Sequence, residues 1–334
     1  MHFRSVTDLS QCIVRNMHRL PPDIDLVVGV PRSGILAGSI VALAINSKLA
    51  DIDAFVEDRI YKTGQTRGVR GESDRPIKTV LVVDDSANEG TAMREARRKL
   101  EPLAERFAIY YCVVYGTAAT MPGIDVVLEP VPQPRLFEWN FMHSTMLQHC
   151  CVDIDGVLCL DPTEDENDDG HRYLEFLASA RPHYTPTHRI GWLVTSRLEK
   201  YRAQTEQWLA SRGIQYDQLV MLDLASKEER IRTNAHSRHK AEFYRSSAAL
   251  LFIESEDQQA HTICESSSKP VLSLESVTLF TPSSISLEQR LKSLTSPRTL
   301  LVSKSGIRLK RGLRLILGEA GYTLLKRLAT SAGR

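Results

Sequence analysis

The sequence contains no apolar run that approaches the ~18–20 residues needed to span a membrane. Its opening residues, MHFRSVTDLS, lack the apolar core of a secretory signal peptide. Cysteine is scarce, with six residues in 334, and none has the CxxC or Cys/His spacing of a metal site. Together these absences predict a cytoplasmic protein with reduced thiols and no cysteine-bound metal.

The composition is that of a globular protein, with 42% hydrophobic and 25% charged residues. The length suggests two domains with an extension. The net charge of +1 is unevenly distributed, because residues 281–334 hold eleven Lys and Arg but two acids, a balance of +9. Residues 1–280 therefore have a balance of −8. An acidic body of this kind offers no extended basic face, so nucleic acid is not an expected partner.

The stretch VLVVDDSANEGTA (Val80–Ala92) combines a strand, two acids, a short polar loop and the start of a helix. We predict a strand over 79–83, acids at Asp84 and Asp85, a turn at Gly90 and a helix from about Met93. Backbone N–H groups of such a loop can hold a phosphate, and the acids can accept hydrogen bonds from sugar hydroxyls. An ordinary strand–turn–helix with an acidic turn is the alternative.

A second strand–loop–helix unit precedes it, in which GVPRSGILAG (29–38) joins a predicted strand over 24–28 to a helix over 35–46. Its free N–H groups and Arg32 suit an anion. The charged stretch 57–76 is either a solvated loop or a lid over a polyphosphate. Alternating strands and helices predict a mostly parallel sheet, with ligand loops at the carboxyl ends of the strands.

These motifs resemble type I phosphoribosyltransferases, whose donor is 5-phosphoribosyl-1-pyrophosphate (PRPP). The resemblance covers residues 1–147 and implies an α/β, Rossmann-like domain that uses Mg²⁺. It implies that Asp84 and Asp85 contact the ribose hydroxyls, with Asp85 also a candidate base. The implied phosphate and pyrophosphate contacts are Ser86, Ala87, Asn88, Glu89, Gly90 and Thr91, and then Arg32, Ser33 and Gly34 within 29–34.

Three aromatic residues, Phe137, Trp139 and Phe141, follow the predicted last strand of this domain. They could stack on a sugar or a base of the acceptor. The alternative is that they pack between the two domains.

The segment CCVDIDGVL (150–158) places Asp153 at the end of an apolar strand, with Asp155 two residues later. Positions i and i+2 of an extended segment point the same way, so the two carboxylates converge. One can act as nucleophile and metal ligand and the other as general acid and base. Thr195 ends a later predicted strand, and Lys240 precedes another that ends in the acids at 254, 256 and 257.

This order resembles the haloacid dehalogenase (HAD) superfamily over about residues 148–275, which implies a second Rossmann-like domain, over 148–280, with a minimal cap. The implied catalytic residues are Asp153, Asp155, Thr195 and Lys240, with Lys227 as a rival for the lysine. The implied Mg²⁺ ligands are Asp153, the carbonyl of Asp155, Glu254 and Asp257, with Glu256 as the alternative to Asp257. The acidic segment 161–170 between the motifs is predicted to be a solvated loop.

Residues 281–334 form a basic extension that is predicted to be helical. Its apolar positions from Leu309 to Leu328 lie largely on one helical face, with arginines opposite. Such a helix can bind an anionic membrane surface, or it can dock on the protein's own body. The protein would accordingly be cytoplasmic, either free or peripheral on the inner face of the membrane.

Both resemblances together match the arrangement of dual-domain bacterial ribofuranosyltransferases. They imply transfer of 5-phosphoribosyl from PRPP to a glycan acceptor of O-antigen or capsule synthesis, lipid-linked, and then hydrolysis of the 5-phosphate. One alternative is a nucleotide-metabolism phosphoribosyltransferase with an accessory phosphatase. The other is a non-catalytic PRPP-sensing regulator.

Overall fold

The computed structural model describes residues 1–61, 76–224 and 235–287, together with Ser226 and Glu229. Of the stretch 57–76, predicted to be a solvated loop or a lid, residues 62–75 lie outside these residues, as do Lys227 and the tail beyond residue 287. Among the described residues, no helix combines the length and the apolar character needed to cross a bilayer.

The first half of the chain builds a five-stranded parallel sheet. The strands of this half of the chain are β1 (His2–Arg4), β2 (Leu26–Gly29), β3 (Lys48–Asp51), β4 (Thr79–Ala87), β5 (Ala108–Gly116), β6 (Val126–Pro130) and β7 (Arg135–Phe137). Its helices are α1 (Val6–Asn16), α2 (Ser33–Ile45), α3 (Ile52–Val56) and α4 (Thr91–Leu100). The strand order is β3-β2-β4-β5-β6, while β1 and β7 form a separate parallel pair.

The second half builds a six-stranded sheet in the order β10-β9-β8-β11-β12-β13, parallel except for β13. Its strands are β8 (Cys150–Val152), β9 (Ile190–Leu198), β10 (Tyr216–Leu222), β11 (Leu251–Glu254), β12 (Val271–Ser273) and β13 (Thr278–Phe280). Its helices are α5 (His171–Ser179), α6 (Arg202–Ser211), α7 (Ala235–Ser246) and α8 (Asp257–Ser267). The predicted α/β fold with parallel sheets is confirmed, whereas the boundaries at 147/148 and 280/281 stay predictions.

Strand β4 lies at the centre of the first sheet, and both of its faces are apolar. Val80 and Val82 belong to one core, and Leu81 and Val83 belong to the core on the opposite face. A near-continuous apolar run of this kind is typical of a parallel strand that is covered on both sides. Pairing with β5 continues as far as Ala87, so the strand is four residues longer than the sequence suggests. The two acids therefore lie within the strand rather than after it.

Helix α2 approaches β4 closely at Gly34. A Cβ atom on Gly34 would lie 2.8 Å from Oδ1 of Asp84 and 2.8 Å from the carbonyl oxygen of Val83. Because Gly34 has no side chain, the second glycine loop (29–38) can lie against the acids of β4.

We expect Gly34→Ala to lower the free energy of unfolding by about 1–3 kcal/mol, because backbone must move to admit the methyl group. Denaturant titration measures this loss. Gly38→Ala on the same helix is the matched control, since its nearest heavy atom would lie at 3.3 Å. Equal losses for the two variants would contradict the close approach.

Candidate functional site

The two acids of β4 lie at the carboxyl edge of the first sheet and are both buried, with Asp84 6% exposed and Asp85 2%. The backbone N–H of Asp85 donates a hydrogen bond to Oδ1 of Asp84 at 2.9 Å. Burial, followed by the neighbouring carboxylate of Asp85, raises the pKa of Asp84 to about 8. The pair therefore tends to retain one proton at neutral pH.

Trp139 fixes the orientation of Asp85. Its indole N–H donates to Oδ2 of Asp85 at 2.8 Å. The indole stacks on Phe137 with ring centroids 5.0 Å apart, and Phe137 stacks on Tyr115 at 5.6 Å. Phe141 instead makes an edge contact with Tyr184 of the second half at 5.1 Å. The three aromatic residues thus divide between the acid site and the contact between the two halves.

Arg135 connects the segments around the acids, a role that no sequence pattern predicted. Its buried guanidinium donates to the carbonyl oxygen of Ala87 at 2.7 Å and to that of Val131 at 3.3 Å. Burial lowers its pKa, and the charge of Asp85 acts in the opposite direction. Arg135 therefore fixes the end of β4 from which the next loop departs.

That loop encloses a cavity of about 370 Å³ lined by Asp84 and residues 86–93. Gly90, at φ 74°, is the N-cap of α4, and no side chain caps the helix. Uncapped N–H groups at a helix N-terminus favour an anion. Arg94 donates to the carbonyl oxygen of Glu89 and to Oγ1 of Thr91. Glu89 itself is exposed, so the acid within the loop is not buried against the site.

The second glycine loop leads from β2 into α2 beside these acids. Val30 donates its backbone N–H to the carbonyl oxygen of Val83 at 2.9 Å. Arg32 is exposed and is the N-cap residue of α2, followed by Ser33 and the buried Gly34. The structure thus brings the predicted residues of both loops to one edge of the sheet, and their ligand contacts stay predictions.

A second group of charged residues lies at the carboxyl edge of the other sheet. Lys240 on α7 donates to Oδ2 of Asp153 at 2.6 Å and to Oε2 of Glu254 at 2.9 Å. All three residues are buried. Burial opposes the charged form of the amine, but the two carboxylates outweigh it and raise the pKa of Lys240 above its usual range. Lys240 is therefore a charged ammonium shared between two carboxylates.

Asp155 is held by Arg197, a fully buried residue that sequence reasoning missed. The distances are 2.6 Å from Nη2 to Oδ1 and 3.1 Å from Nε to Oδ2. Burial alone would raise the pKa of Asp155, but the guanidinium lowers it. Thr195, also fully buried, accepts a hydrogen bond from the backbone N–H of Arg197 at 3.2 Å.

Asp153, Asp155, Thr195 and Lys240 line one cavity of about 260 Å³. The same cavity is lined by Asp161 and Asn167, which belong to the segment predicted to be a solvated loop. Asp161 is exposed and Asn167 is partly buried where they line this cavity. Burial, then the carboxylates of Asp155, Glu256 and Glu254, raise the pKa of Asp161.

Two of the predicted Mg²⁺ ligands, Asp153 and Glu254, are both engaged by Lys240. The side chain of Asp155, whose predicted contribution to the metal is its backbone carbonyl, is engaged by Arg197. Asp257 lines a neighbouring cavity and accepts from the hydroxyl of Ser276 at 2.7 Å. Among the described residues, no three acid, histidine or cysteine side chains are grouped to hold a metal ion. The metal assignment stays a prediction.

Residues 2–133 match the family model of the phosphoribosyl transferase domain. The match confirms the predicted phosphoribosyltransferase domain, while the roles of the two loops and of the acid pair stay predictions. No curated protein sequence matches the chain.

Three solved structures are similar to parts of the chain. Helicobacter pylori xanthine-guanine-hypoxanthine phosphoribosyltransferase has 18% identity, a TM-score of 0.31, and coverage of 41% of this chain and 92% of that one. Orotate phosphoribosyltransferase from Aeropyrum pernix has 19% identity, a TM-score of 0.24, and coverage of 34% of this chain and 59% of that one. A chain of the Pnkp1/Rnl/Hen1 complex has 14% identity, a TM-score of 0.23, and coverage of 81% and 86%.

The raised pKa of Asp84 predicts a pH-dependent stability. Folding favours its protonated form, so ionisation costs stability as the pH rises from the usual value of 3.8 through about 8. We expect Asp84→Asn, which cannot ionise, to gain free energy of unfolding over the wild type across this window, by up to about 1.4 kcal/mol per pH unit. Urea titrations at about pH 5 and about pH 8 measure this gain.

Asp217→Asn is the control for this experiment, because Asp217 is an exposed carboxylate that is paired with Arg189 at 3.2 Å. The change in free energy of unfolding caused by Asp217→Asn should be small at both pH values. An Asp84→Asn gain of the same size at both pH values would contradict the assignment.

Lys240→Met should lower the free energy of unfolding by about 3–5 kcal/mol at neutral pH, because Asp153 and Glu254 would lose their counter-charge. Lys200→Met removes a partly exposed ion pair with Asp169 at 2.9 Å and should cost less than about 1 kcal/mol. Denaturant titration of both variants tests this difference. Comparable losses would mean that the buried ammonium is not required.

Proposed function

We propose that this protein is a bifunctional ribofuranosyltransferase of surface polysaccharide synthesis. It would transfer 5-phosphoribosyl from PRPP to a hydroxyl of a glycan acceptor, and then hydrolyse the 5-phosphate. The observation that carries the proposal is the presence on one chain of two sites with complementary chemistry. One is a phosphoribosyltransferase domain with its acid pair, and the other is a cavity that contains Asp153, Asp155 and a charged lysine.

In the transfer step, the 5-phosphate of PRPP would lie in the loop over 86–91, at the N-terminus of α4. The ribose hydroxyls would donate to Asp84 and Asp85, and the pyrophosphate would lie at the loop that contains Arg32 and Gly34. Mg²⁺ bound to the pyrophosphate would neutralise part of its charge. The bond from C1 to the pyrophosphate breaks as the acceptor oxygen attacks C1, and inversion of α-PRPP gives a β-linkage. Asp85, oriented by Trp139, is the candidate to take the acceptor's proton.

In the second step, a carboxylate oxygen of Asp153 would attack phosphorus and form an aspartyl-phosphate. The C5 oxygen leaves with a proton from Asp155. Water, deprotonated by Asp155, then releases inorganic phosphate and restores Asp153. Lys240 would offset charge on the nucleophile and the phosphate, and Thr195 would hydrogen-bond the transferring group. Arg197 favours the carboxylate form of Asp155, which is the form needed to activate water.

The acceptor would be lipid-linked, and contact of the tail with a membrane surface would bring the enzyme to it. A transferase that uses a nucleobase acceptor and a non-catalytic PRPP-binding regulator are the competing functions. Release of pyrophosphate from PRPP separates all three. A glycan should stimulate release under our proposal and a nucleobase should stimulate it under the first alternative, whereas neither should do so for a regulator.

The decisive variant is Asp153→Asn, incubated with PRPP and a lipid-linked glycan and analysed by mass spectrometry. We expect the glycan to gain phosphoribose with the variant and ribose with the wild type, because only the wild type has the nucleophile. Asp217→Asn, distant in sequence and exposed, is the control and should behave as the wild type does. A variant product without phosphate would refute the two-step scheme.

A further inference from the structure

A second, wider cavity adjoins the cavity that contains Asp153. Its volume is about 800 Å³, and it shares Asp161, Ser255 and Glu256 with the smaller cavity. A phosphate held beside Asp153 in the smaller space would leave the rest of a large substrate facing the wider one. The wider cavity is therefore placed to receive the remainder of the phosphoester.

One wall of this wider cavity is an aromatic pair, His183 and Tyr184, whose ring centroids are 4.4 Å apart. Backbone hydrogen bonds fix the pair in place. His183 donates its N–H to Leu158 at 2.9 Å and Tyr184 donates to Val157 at 3.1 Å. An imidazole and a phenol on a fixed backbone offer a flat, partly apolar surface, which suits the face of a sugar ring.

Another part of the lining is acidic, with Asp161, Glu256, Asp257 and Glu275 contributing carboxylates. The backbone N–H of Asp257 donates to Oε2 of Glu275 at 2.9 Å, which fixes Glu275 at the start of α8. Among the lining residues in the described part of the chain, none is lysine or arginine. Carboxylates accept hydrogen bonds from sugar hydroxyls and repel anionic groups.

This charge matters because two molecules in the proposed reaction carry the same ribose 5-phosphate. One is the phosphoribosyl-glycan to be dephosphorylated, which has a neutral sugar at C1. The other is PRPP, whose C1 bears a multiply charged pyrophosphate. Hydrolysis of PRPP at C5 would destroy the donor before transfer.

We propose that the wider cavity binds the neutral C1 substituent of the phosphoribosyl-glycan and rejects PRPP by charge, so that dephosphorylation follows transfer. The inference rests on the proposed function and adds to it a substrate-discriminating subsite. The aromatic pair supplies attraction for a sugar. The carboxylates at 256, 257 and 275 supply repulsion against a pyrophosphate, which is the negative element that discrimination between similar substrates needs.

The test compares hydrolysis of two probes by the full chain, PRPP and methyl β-ribofuranoside 5-phosphate, with phosphate release as the readout. The wild type should have the higher kcat/KM for the methyl glycoside. Glu275→Gln should raise the ratio of PRPP to glycoside hydrolysis about three- to tenfold at low salt, because a negative charge is removed while the acceptor for the N–H of Asp257 remains. Glu265→Gln, at an exposed glutamate on α8, is the control and should leave the ratio unchanged.

Varying the salt concentration distinguishes selection by electrostatic repulsion from selection by shape. The preference of the wild type for the glycoside should shrink when the ionic strength rises from about 0.05 M to about 0.5 M, because screening weakens repulsion between exposed charges. A preference that does not change with salt or with Glu275→Gln would overturn the inference, while activity on the glycoside would leave the proposed phosphatase intact. Hydrolysis of neither probe would refute the proposed phosphatase and the inference with it.

Discussion

A buried carboxylate is costly unless a cation or an N–H group meets it, and this protein buries Asp84, Asp85, Asp153 and Glu254 at the carboxyl edges of its two sheets. The two edges meet this cost differently. In the second sheet, the ammonium of Lys240 lies between two carboxylates. In the first sheet, an indole N–H and a shared proton take the place of a close cation. Most of the polar contacts around both sites follow from these needs.

The difference has chemical consequences. An acid pair that holds a proton at neutral pH is prepared to release it when a ligand that carries hydroxyl donors and a metal-bound pyrophosphate arrives, so binding and charge are coupled there. The lysine-bridged pair already has a cation between its two carboxylates, and Lys240 lines the cavity that also contains Asp153 and Asp155. The ligand of the first site would thus supply the positive charge that the acid pair lacks. In the second site, Lys240 supplies a positive charge in the free protein. The proposed order of reactions uses these two states.

The sequence predicted the elements that are encoded locally. Strand-forming runs, the acids that follow them and the glycine at the start of α4 were all placed within a few residues, because apolar pattern and turn residues are local signals. The length of β4 was underestimated, since pairing with β5, and not composition, carries the strand to Ala87. Polar residues rarely end a strand when the neighbouring strand continues beside them.

The partners of the acids were missed for a different reason. Trp139 lies 54 residues from Asp85, and Arg197 lies 42 residues from Asp155. No local pattern marks a tryptophan or an arginine as the partner of a distant acid. Glu89, which the resemblance places among the phosphate contacts, is exposed in the fold.

The short parallel pair of β1 with β7 joins the two ends of the first half immediately before the second begins. Leu136 of β7, together with Phe141, Met142 and Leu147, is buried in the core of the second sheet, and Met1 and Phe3 pack against it. A gene cut at the apparent junction near residue 148 would therefore strip this apolar layer from the downstream fragment and leave it on the upstream one. The two halves are not interchangeable modules, and an evolutionary exchange of either half would have to carry this shared apolar layer with it.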